Sequence, residues 1–101
     1  MLYATFILKD GVYLNVYVTK EYEDRDGGIN LAIRIEQKEH EDNFCEWRLP
    51  DMTCLKSFGF SEDDLFGIEK YLTVNESIIW DDWREQKNAR VIHYKHAEPN
   101  R

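Results

Sequence analysis

Cysteine, proline and glycine are scarce in this chain, whose 101 residues include two cysteines, two prolines and five glycines. Two cysteines are too few for a disulfide-rich scaffold, so we expect Cys45 and Cys54 to be reduced and buried. A hydrophobic content of 43% with 33% charged residues is normal for a soluble globular protein and argues against a disordered chain. The opening apolar run, residues 1–8, is too short to cross a membrane and has no basic leader before it. We therefore expect a single cytoplasmic domain over residues 1–101 that does not contact membranes.

Motifs for metal binding and nucleophilic catalysis are also missing. The histidines His40, His93 and His96 do not stand at zinc-binding spacings. Neither cysteine has a histidine beside it, and the sequence contains no Gly-x-Ser-x-Gly turn or glycine-rich phosphate loop. The sequence therefore predicts a protein that is not an enzyme and has no metal, cofactor or catalytic residues.

Acidic side chains, in contrast, are abundant, and the formal net charge is -7. Residues 1–86 hold 9 basic and 19 acidic residues, a balance of -10, whereas residues 87–101 hold 4 basic and 1 acidic. An acidic body repels nucleic acids and anionic membranes and attracts cationic surfaces. We therefore predict a basic protein partner and no direct binding of nucleic acid.

The first half of the chain alternates apolar and polar residues, which predicts β-strands. We predict strands at residues 2–8, 12–19, 29–37 and 44–49, separated by charged loops at 20–28 and 38–43. A two-residue Asp-Gly turn in the first hairpin would pair Leu8 with Tyr13 and mix polar with apolar side chains. A three-residue loop pairs Leu8 with Val12 and Leu2 with Val18, which places the aliphatic side chains on one face, so we prefer that register. Two further groups are predicted to face inward: Ile29, Leu31, Ile33 and Ile35; and Cys45, Trp47 and Leu49.

A helix begins at Ser61, which is a suitable N-cap with Asp64 three residues later. Apolar residues then recur at helical spacing to about residue 87: Leu65, Ile68, Leu72, Ile79 and Trp83. Residues 73–75 have low helix propensity, so the sequence allows either one long helix, kinked or straight, or two short helices. Residues 89–96 look like a last strand. The predicted fold is α+β, an antiparallel sheet of four to five strands with the helix or helices packed on one face.

Aromatic residues stand close to acidic clusters; the rings can supply rigid contact area, and the carboxylates accelerate encounter with a basic partner. The helical period places Trp83 in the core and Trp80 at its rim, with Asp81 pointing away. Glu39, Glu41 and Asp42 form one more acidic loop. The predicted partner-binding residues are Tyr13, Tyr17, Glu21, Glu23, Asp24, Asp26, Trp80, Asp81, Asp82 and Glu85.

The segment from Phe58 to Glu85, with its Gly-Phe-Ser helix start, a central Asn75 and the late Trp83, resembles the end of small bacterial domains from toxin–antitoxin gene pairs. In its small size, acidic charge and α+β pattern the chain is also similar to immunity proteins of bacterial contact-dependent toxin systems. These resemblances imply an inhibitor that neutralises a toxin by binding it.

The leading hypothesis is an immunity- or antitoxin-like inhibitor that occludes a basic surface, such as the nucleic-acid site of a toxin nuclease. An alternative is a phage inhibitor, anti-CRISPR or anti-restriction, that mimics DNA with the same carboxylates. A second alternative is a metal-dependent nuclease using Asp26, Glu36 and Lys38, since a carboxylate-x-Lys triplet resembles the motif of restriction-type endonucleases. A structural domain that forms a homodimer through Tyr3, Tyr13 and Tyr17 is also open.

Overall fold

Five consecutive antiparallel strands and one long helix make up the fold, which confirms the predicted α+β class. The computed structural model describes residues 1–97, and the side chains of residues 1–88. The elements are β1 (Leu2–Ile7), β2 (Tyr13–Glu23), β3 (Ile29–Gln37), β4 (His40–Leu49), β5 (Thr53–Phe58) and α1 (Glu62–Ala97). The strands lie in the sheet in chain order, from β1 at one edge to β5 at the other.

The first hairpin has the three-residue loop. The amide of Leu8 donates to the carbonyl of Val12 at 2.9 Å, and Gly11 closes the loop with a φ of 90°. Glycine adopts this conformation at little cost, so Gly11 allows the three-residue loop that pairs Leu8 with Val12. The far end of the predicted register is wrong: Leu2 pairs with Tyr17, because a bulge between Leu2 and Ala4 shifts it by one residue.

The fifth strand of the sheet is β5, which was not predicted from the sequence. The prediction of a strand at residues 89–96 is wrong. The backbone of α1 continues through that segment to Ala97. No glycine or proline stands between Gly67 and Pro99 to end the helix. Residues 98–101, the end of the basic segment, lie outside the described residues.

α1 is a single continuous helix, so the suggested break at residues 73–75 does not occur. The polar side chains there bond back to the helix itself: Thr73 Oγ1 donates to the Glu69 carbonyl at 2.8 Å and Asn75 Nδ2 to the Tyr71 carbonyl at 2.9 Å. The predicted N-cap is confirmed, since the Asp64 amide donates to Ser61 Oγ and the Ser61 amide to the Asp64 carboxylate, each at 3.1 Å. These reciprocal bonds satisfy backbone donors that the first helical turn leaves unpaired.

The core lies between α1 and one face of the sheet. Its buried residues are Leu8, Leu14, Val16, Val18, Leu31, Ile33, Ile35, Cys45, Trp47, Leu49, Ile68, Leu72 and Ile79. Burial of each large aliphatic side chain contributes about 1.5–3 kcal/mol. Ile29, predicted to face inward, is instead 45% exposed at the start of β3. Of the cysteines, Cys45 is buried as predicted, whereas Cys54 is exposed, and both are free.

A second bulge, in β2, decides which side chains reach the helix. The register between β2 and β3 shifts between Val18, opposite Ile33, and Lys20, opposite Ala32. Because cross-strand partners share a face, Glu21, opposite buried Leu31, lies on the helix side after the bulge. Glu21 and Glu23, predicted in a loop, therefore belong to a strand that continues past residue 19.

Candidate functional site

Tyr13 and Tyr17 lie on the face of the sheet that α1 does not cover. They alternate with the buried Leu14, Val16 and Val18, and Tyr13 is 54% exposed. Tyr3, predicted on the same face, is displaced by the bulge in β1, and its hydroxyl donates to Asn75 Oδ1 of the helix at 3.4 Å. A homodimer through all three tyrosines is therefore not supported by their positions.

The open face carries charges that are largely neutralised locally. Arg34 bonds to Glu36 at 2.6 Å and to Glu46 at 3.2 Å, and its guanidinium lies 3.8 Å from the centre of the Phe44 ring. The bond to Glu36 is the main cause that raises the pKa of Arg34. An arginine held by two carboxylates and an aromatic ring has few donors left for a ligand.

The carboxylate of Glu21 is bound by two side chains of α1. It accepts from Trp83 Nε1 at 2.7 Å and from Lys87 Nζ at 2.9 Å. The bonds to Lys87 and then to Trp83 lower the pKa of Glu21. Glu21 therefore acts as a link between β2 and α1, with little capacity left for a partner.

The carboxylate of Asp24 is bound by donors from the following β2–β3 loop and the start of β3. It accepts from the amides of Gly28 at 2.8 Å and Asp26 at 2.9 Å, and from Asn30 Nδ2 at 3.1 Å. The bond from Asn30, followed by that from Gly28, lowers the pKa of Asp24. This pattern orders the β2–β3 loop. Glu23 and Asp26 are exposed, and neither forms an ion pair within the part of the chain whose side chains are described.

The helical members of the predicted site also have internal partners. Trp80 is half-buried against the core; its Nε1 donates to Glu76 at 3.2 Å, and the Arg84 guanidinium lies 5.4 Å from the ring centre. Arg84 also lies 3.5 Å from the carboxylate of Asp81. Trp80 is thus shielded by neighbours on its own helix. Trp83, predicted in the core, is likewise half-buried, with its ring nitrogen bound to Glu21.

Asp82 and Glu85 are different, since neither has an ion-pair partner among the described side chains. Both line a shallow cavity of about 360 Å³ between α1 and the start of β1, together with Met1, Leu2 and Tyr3. Burial, and then the charge of Asp82, raises the pKa of Tyr3.

The ten predicted residues are therefore spread over the open sheet face, the β2–β3 loop and the helix. The sheet itself separates the tyrosines from the helical acids, so the ten do not form one interface.

The structure assembles a different acidic surface, at the opposite end of the sheet. In an antiparallel meander the β1–β2 turn, the β3–β4 turn and the connection from β5 to α1 all lie at the same end. Asn43, near the start of β4, lies directly against Gly59, which has a φ of 82°. We call this surface the acidic end and define it by seven carboxylates: Asp10, Glu39, Glu41, Asp42, Glu62, Asp63 and Asp64.

The acidic end lacks internal neutralisation. Lys9, Lys38 and Lys70 accompany its carboxylates, but none of the seven takes part in an ion pair among residues 1–88. Asp10 accepts from the Val12 amide at 3.2 Å and Asp64 from the Ser61 amide, but no cation offsets either charge. Repulsion between these carboxylates is relieved when a cationic surface binds.

An apolar residue accompanies these charges. Phe66, on the second turn of α1, is 72% exposed. It lines a cavity of about 450 Å³ together with Asp10, Asp63 and Lys70. An exposed aromatic ring beside a charged rim is the usual composition of a protein-binding surface.

The sequence identified the acidic segments that make up the acidic end, but not that these segments lie next to each other in the fold. Glu39, Glu41 and Asp42 were predicted to form one acidic loop, whereas β4 begins at His40, so only Glu39 lies in the turn and Glu41 and Asp42 belong to the strand. The acids of residues 62–64 were predicted only as helix-start residues. They come together because β5 supplies the fifth strand and returns the chain to the end where α1 begins. Without β5, α1 would begin at the end of the sheet opposite to the β1–β2 and β3–β4 turns.

The residues of the nuclease alternative do not converge. Asp26 precedes β3, whereas Glu36 stands near its end, so roughly 20 Å of strand separates them at about 3.3 Å per residue. Glu36 is bound to Arg34, and the Lys38 ammonium lies 5.9 Å from the Tyr13 ring centre. In the described part of the chain, no group of three or more His, Cys, Asp or Glu side chains could hold a metal ion.

No helix among the described residues combines the length and apolar character needed to cross a membrane. Comparisons with protein-family models, with curated proteins and with solved structures found no significant match to this chain.

Proposed function

We propose that this protein is a non-enzymatic inhibitor, immunity- or antitoxin-like, that binds a basic protein through its acidic end. The observation that carries the proposal is the concentration of seven carboxylates at one end of the sheet, none of which forms an ion pair with a described side chain. At the other end Glu21, Asp51 and Asp81 are in ion pairs and Asp24 is bound by backbone amides, and the remaining unpaired acids with described side chains are Glu23, Asp26, Asp82 and Glu85. Unpaired like charges destabilise a monomer slightly, and a cationic partner relieves that cost.

The mechanism is charge complementarity combined with steric occlusion. The carboxylates attract the lysine and arginine residues with which a toxin nuclease holds phosphates, and the field accelerates the encounter. Phe66 then supplies apolar contact that a phosphate mimic does not need, which favours a plug over a DNA mimic. The exposed free thiol of Cys54 is consistent with the reducing cytoplasm in which we place the protein.

Two charge-reversal variants with the same change in net charge test the proposal. The first carries Glu39→Lys, Glu41→Lys and Asp42→Lys at the acidic end. The control carries Glu23→Lys, Asp26→Lys and Glu85→Lys, which are exposed acids at the opposite end. Each tagged protein is used to capture partners from a lysate of the source cell, and the captured basic protein is purified for titration calorimetry at low and high salt.

We expect the first variant to bind the purified partner at least about tenfold more weakly than the wild type does, and the control to bind within about threefold. Equal loss in both variants would show that net charge alone drives binding. Selective loss in the control would move the interface to the β2–β3 loop and the end of the helix. Either result would overturn the assignment of the acidic end.

A further inference from the structure

The two edges of the sheet differ in how they are protected. β1 and β5 each have a single neighbour, so each exposes one row of backbone N–H and C=O groups. β5 carries Lys56, and an irregular register interrupts its pairing with β4 between Glu46 and Trp47. A charge and a bulge are common devices against edge-to-edge pairing. β1 has no charged side chain anywhere from Met1 to Leu8.

The direction of the free backbone groups on β1 follows from its pairing with β2. Leu8 donates to the carbonyl of Val12, which makes this a hydrogen-bonded pair. Such pairs alternate along an antiparallel ladder, and Phe6 and Ala4 are the next ones towards the start of the strand. The N–H and C=O groups of Thr5 and Ile7 therefore point away from β2, towards the edge. The bulge of β1 lies before Ala4 and leaves this stretch regular.

Exposed apolar side chains lie on both sides of this edge, and we call them together the apolar flank: Leu2 and Ile7 on the uncovered face, opposite Tyr17 and Tyr13, and Val74 and Ile78 on the helix side. Leu2 is 55% exposed and Ile7 53%. On the helix above, Ile78 is 51% exposed and Val74, one turn earlier, 70%. Ile78 stands between Asn75 and Asp82, the two helical residues next to Tyr3, so it is on the β1 side of α1. Large exposed apolar side chains that adjoin an unpaired strand mark an interaction surface.

The charged side chains on this flank are acidic at one end and of both signs at the other. Asp82 and Glu85 lie beside the first residues of β1. Lys9 and Lys70 lie at the other end of the strand, next to Leu8, and neither lysine forms an ion pair with a described side chain. Asp10, Asp63 and Asp64 border the same cavity as these lysines, and the carboxylates of Asp10 and Asp64 accept backbone amides.

We infer that the β1 edge pairs with β1 of a second copy of this chain, antiparallel about a two-fold axis near residues 5–7. Such an axis brings the Thr5 and Ile7 backbone groups of both copies together and merges the two sheets into one. It places the apolar flank of one copy against that of the other. It also places Lys9 of each copy near the Asp82 end of its neighbour. An apolar strand whose outward backbone groups pair with themselves under this rotation, with one Lys9–Asp82 approach on each side of the axis, fits a second copy.

This inference does not rest on the proposed function, because the pairing uses the backbone of Thr5 and Ile7. Asp10, Asp63 and Asp64 of the acidic end border one end of the flank. Its test is the solution mass of the full chain, measured by light scattering and sedimentation over a concentration series. We expect the wild type to approach twice the monomer mass of 12.1 kDa. Ile7→Lys adds a charge to the edge and Thr5→Pro removes an outward N–H, so each should weaken the dimer at least about tenfold.

Leu55→Glu is the matched control, because Leu55 on β5 is 52% exposed, like Ile7, and it should leave the dimer intact. Far-ultraviolet circular dichroism verifies that each variant is folded, and Ile7→Lys decides the question if Thr5→Pro does not fold. Amide hydrogen exchange gives an independent readout: the amides of Thr5 and Ile7 should exchange more slowly as concentration rises, and those of β5 should not change. A wild type that remains monomeric at about 100 μM, well above a micromolar dissociation constant, would overturn the inference. So would a dimer that Leu55→Glu dissociates and Ile7→Lys does not.

Discussion

The indole N–H of Trp83 donates a 2.7 Å hydrogen bond to the carboxylate of Glu21, which lies 62 positions earlier in the chain. Two features meet in this bond. The bulge after Val18 turns Glu21 towards the helix, and the helical period brings Trp83 down onto the sheet. An acidic residue that looks like part of a binding surface in the sequence is thus a tie between β2 and α1.

Replacing Glu21 by Gln should lower the free energy of unfolding at pH 7 by about 1 kcal/mol. The change removes the ion pair with Lys87 and weakens the acceptor for Trp83; hydrogen bonds to charged groups contribute about 1.5–3 kcal/mol, and partial exposure reduces this. Urea denaturation followed by tryptophan fluorescence measures the difference. The control is Glu23→Gln on the same strand, which should change stability by less than about 0.5 kcal/mol. Equal effects of the two substitutions would contradict the role of Glu21.

The contribution of Glu21 should depend on pH in a definite direction. Its pKa in the folded protein is lowered from the ordinary 4.5, so the stabilisation is fully present above that pH and is lost as pH falls through the folded-state pKa. The stability difference between wild type and Glu21→Gln should therefore be constant from pH 6 to 8 and shrink below about pH 4. A difference that grew on acidification would reverse the assigned sign.

Gly59→Ala should be markedly more destabilising than Gly11→Ala. Both glycines have positive φ, 82° and 90°, which costs other residues about 1–2 kcal/mol. A Cβ at position 59 would also collide with the side chain of Asn43, whereas position 11 has open space. We expect a loss of more than about 2 kcal/mol for Gly59→Ala and about 1 kcal/mol for Gly11→Ala, measured by thermal and urea unfolding.

At position 59, a double-mutant cycle separates the cost of the positive φ from the cost of the collision with Asn43. Asn43→Ala removes most of the colliding atoms, so it should recover part of the loss when combined with Gly59→Ala. Strict additivity of the two substitutions would show that backbone strain alone explains the effect. This contact matters for the acidic end because it holds the β3–β4 turn next to the connection that precedes α1.

The sequence predicted local features more reliably than features that depend on distant parts of the chain. The Gly11 loop, the alternation of β3 from Leu31 to Ile35 and the Ser61 cap are all encoded within a few residues, and the structure confirms them. β5 was missed because residues 53–58 mix polar and apolar side chains without a clean alternation, as the outermost strand of the sheet can.

Both bulges were also invisible in the sequence, because a one-residue shift is fixed by partners on another strand. The bulge in β1 accounts for the misplacement of Tyr3 on the predicted tyrosine face, and the bulge in β2 for that of Glu21 in the predicted partner-binding site. The pairing of Glu21 with Lys87 likewise depends on the length of β2, which extends beyond the predicted end at residue 19. Counting acidic residues therefore identified an acidic protein, and only the tertiary arrangement distinguished carboxylates with internal partners from those without.

The two cysteines should react at very different rates in the folded protein. Burial raises the pKa of Cys45 to about 12, and Trp47 Nε1 donates to its sulfur at 3.1 Å. Cys54 is exposed on β5. Because the thiolate is the reactive form, a disulfide reagent at pH 8 should modify one thiol per folded chain rapidly and the second only after unfolding in guanidinium. Cys54→Ser should abolish the rapid phase, and a persisting rapid phase in that variant would show that Cys45 is accessible.

Two neighbouring isoleucines on α1 provide a final test of how the helix packs. Ile79 is fully buried in the core, whereas Ile78, on the next position, is 51% exposed on the β1 side. Ile79→Ala should cost about 2–4 kcal/mol, because it removes buried methyl groups and leaves a cavity. Ile78→Ala should change stability by less than about 0.5 kcal/mol, since alanine also has the higher helix propensity. Urea unfolding at low micromolar concentration, where self-association contributes least, measures both. Similar losses for the two would mean that α1 is rotated about its axis relative to the sheet, and the side chains assigned to the β1 flank would then face elsewhere.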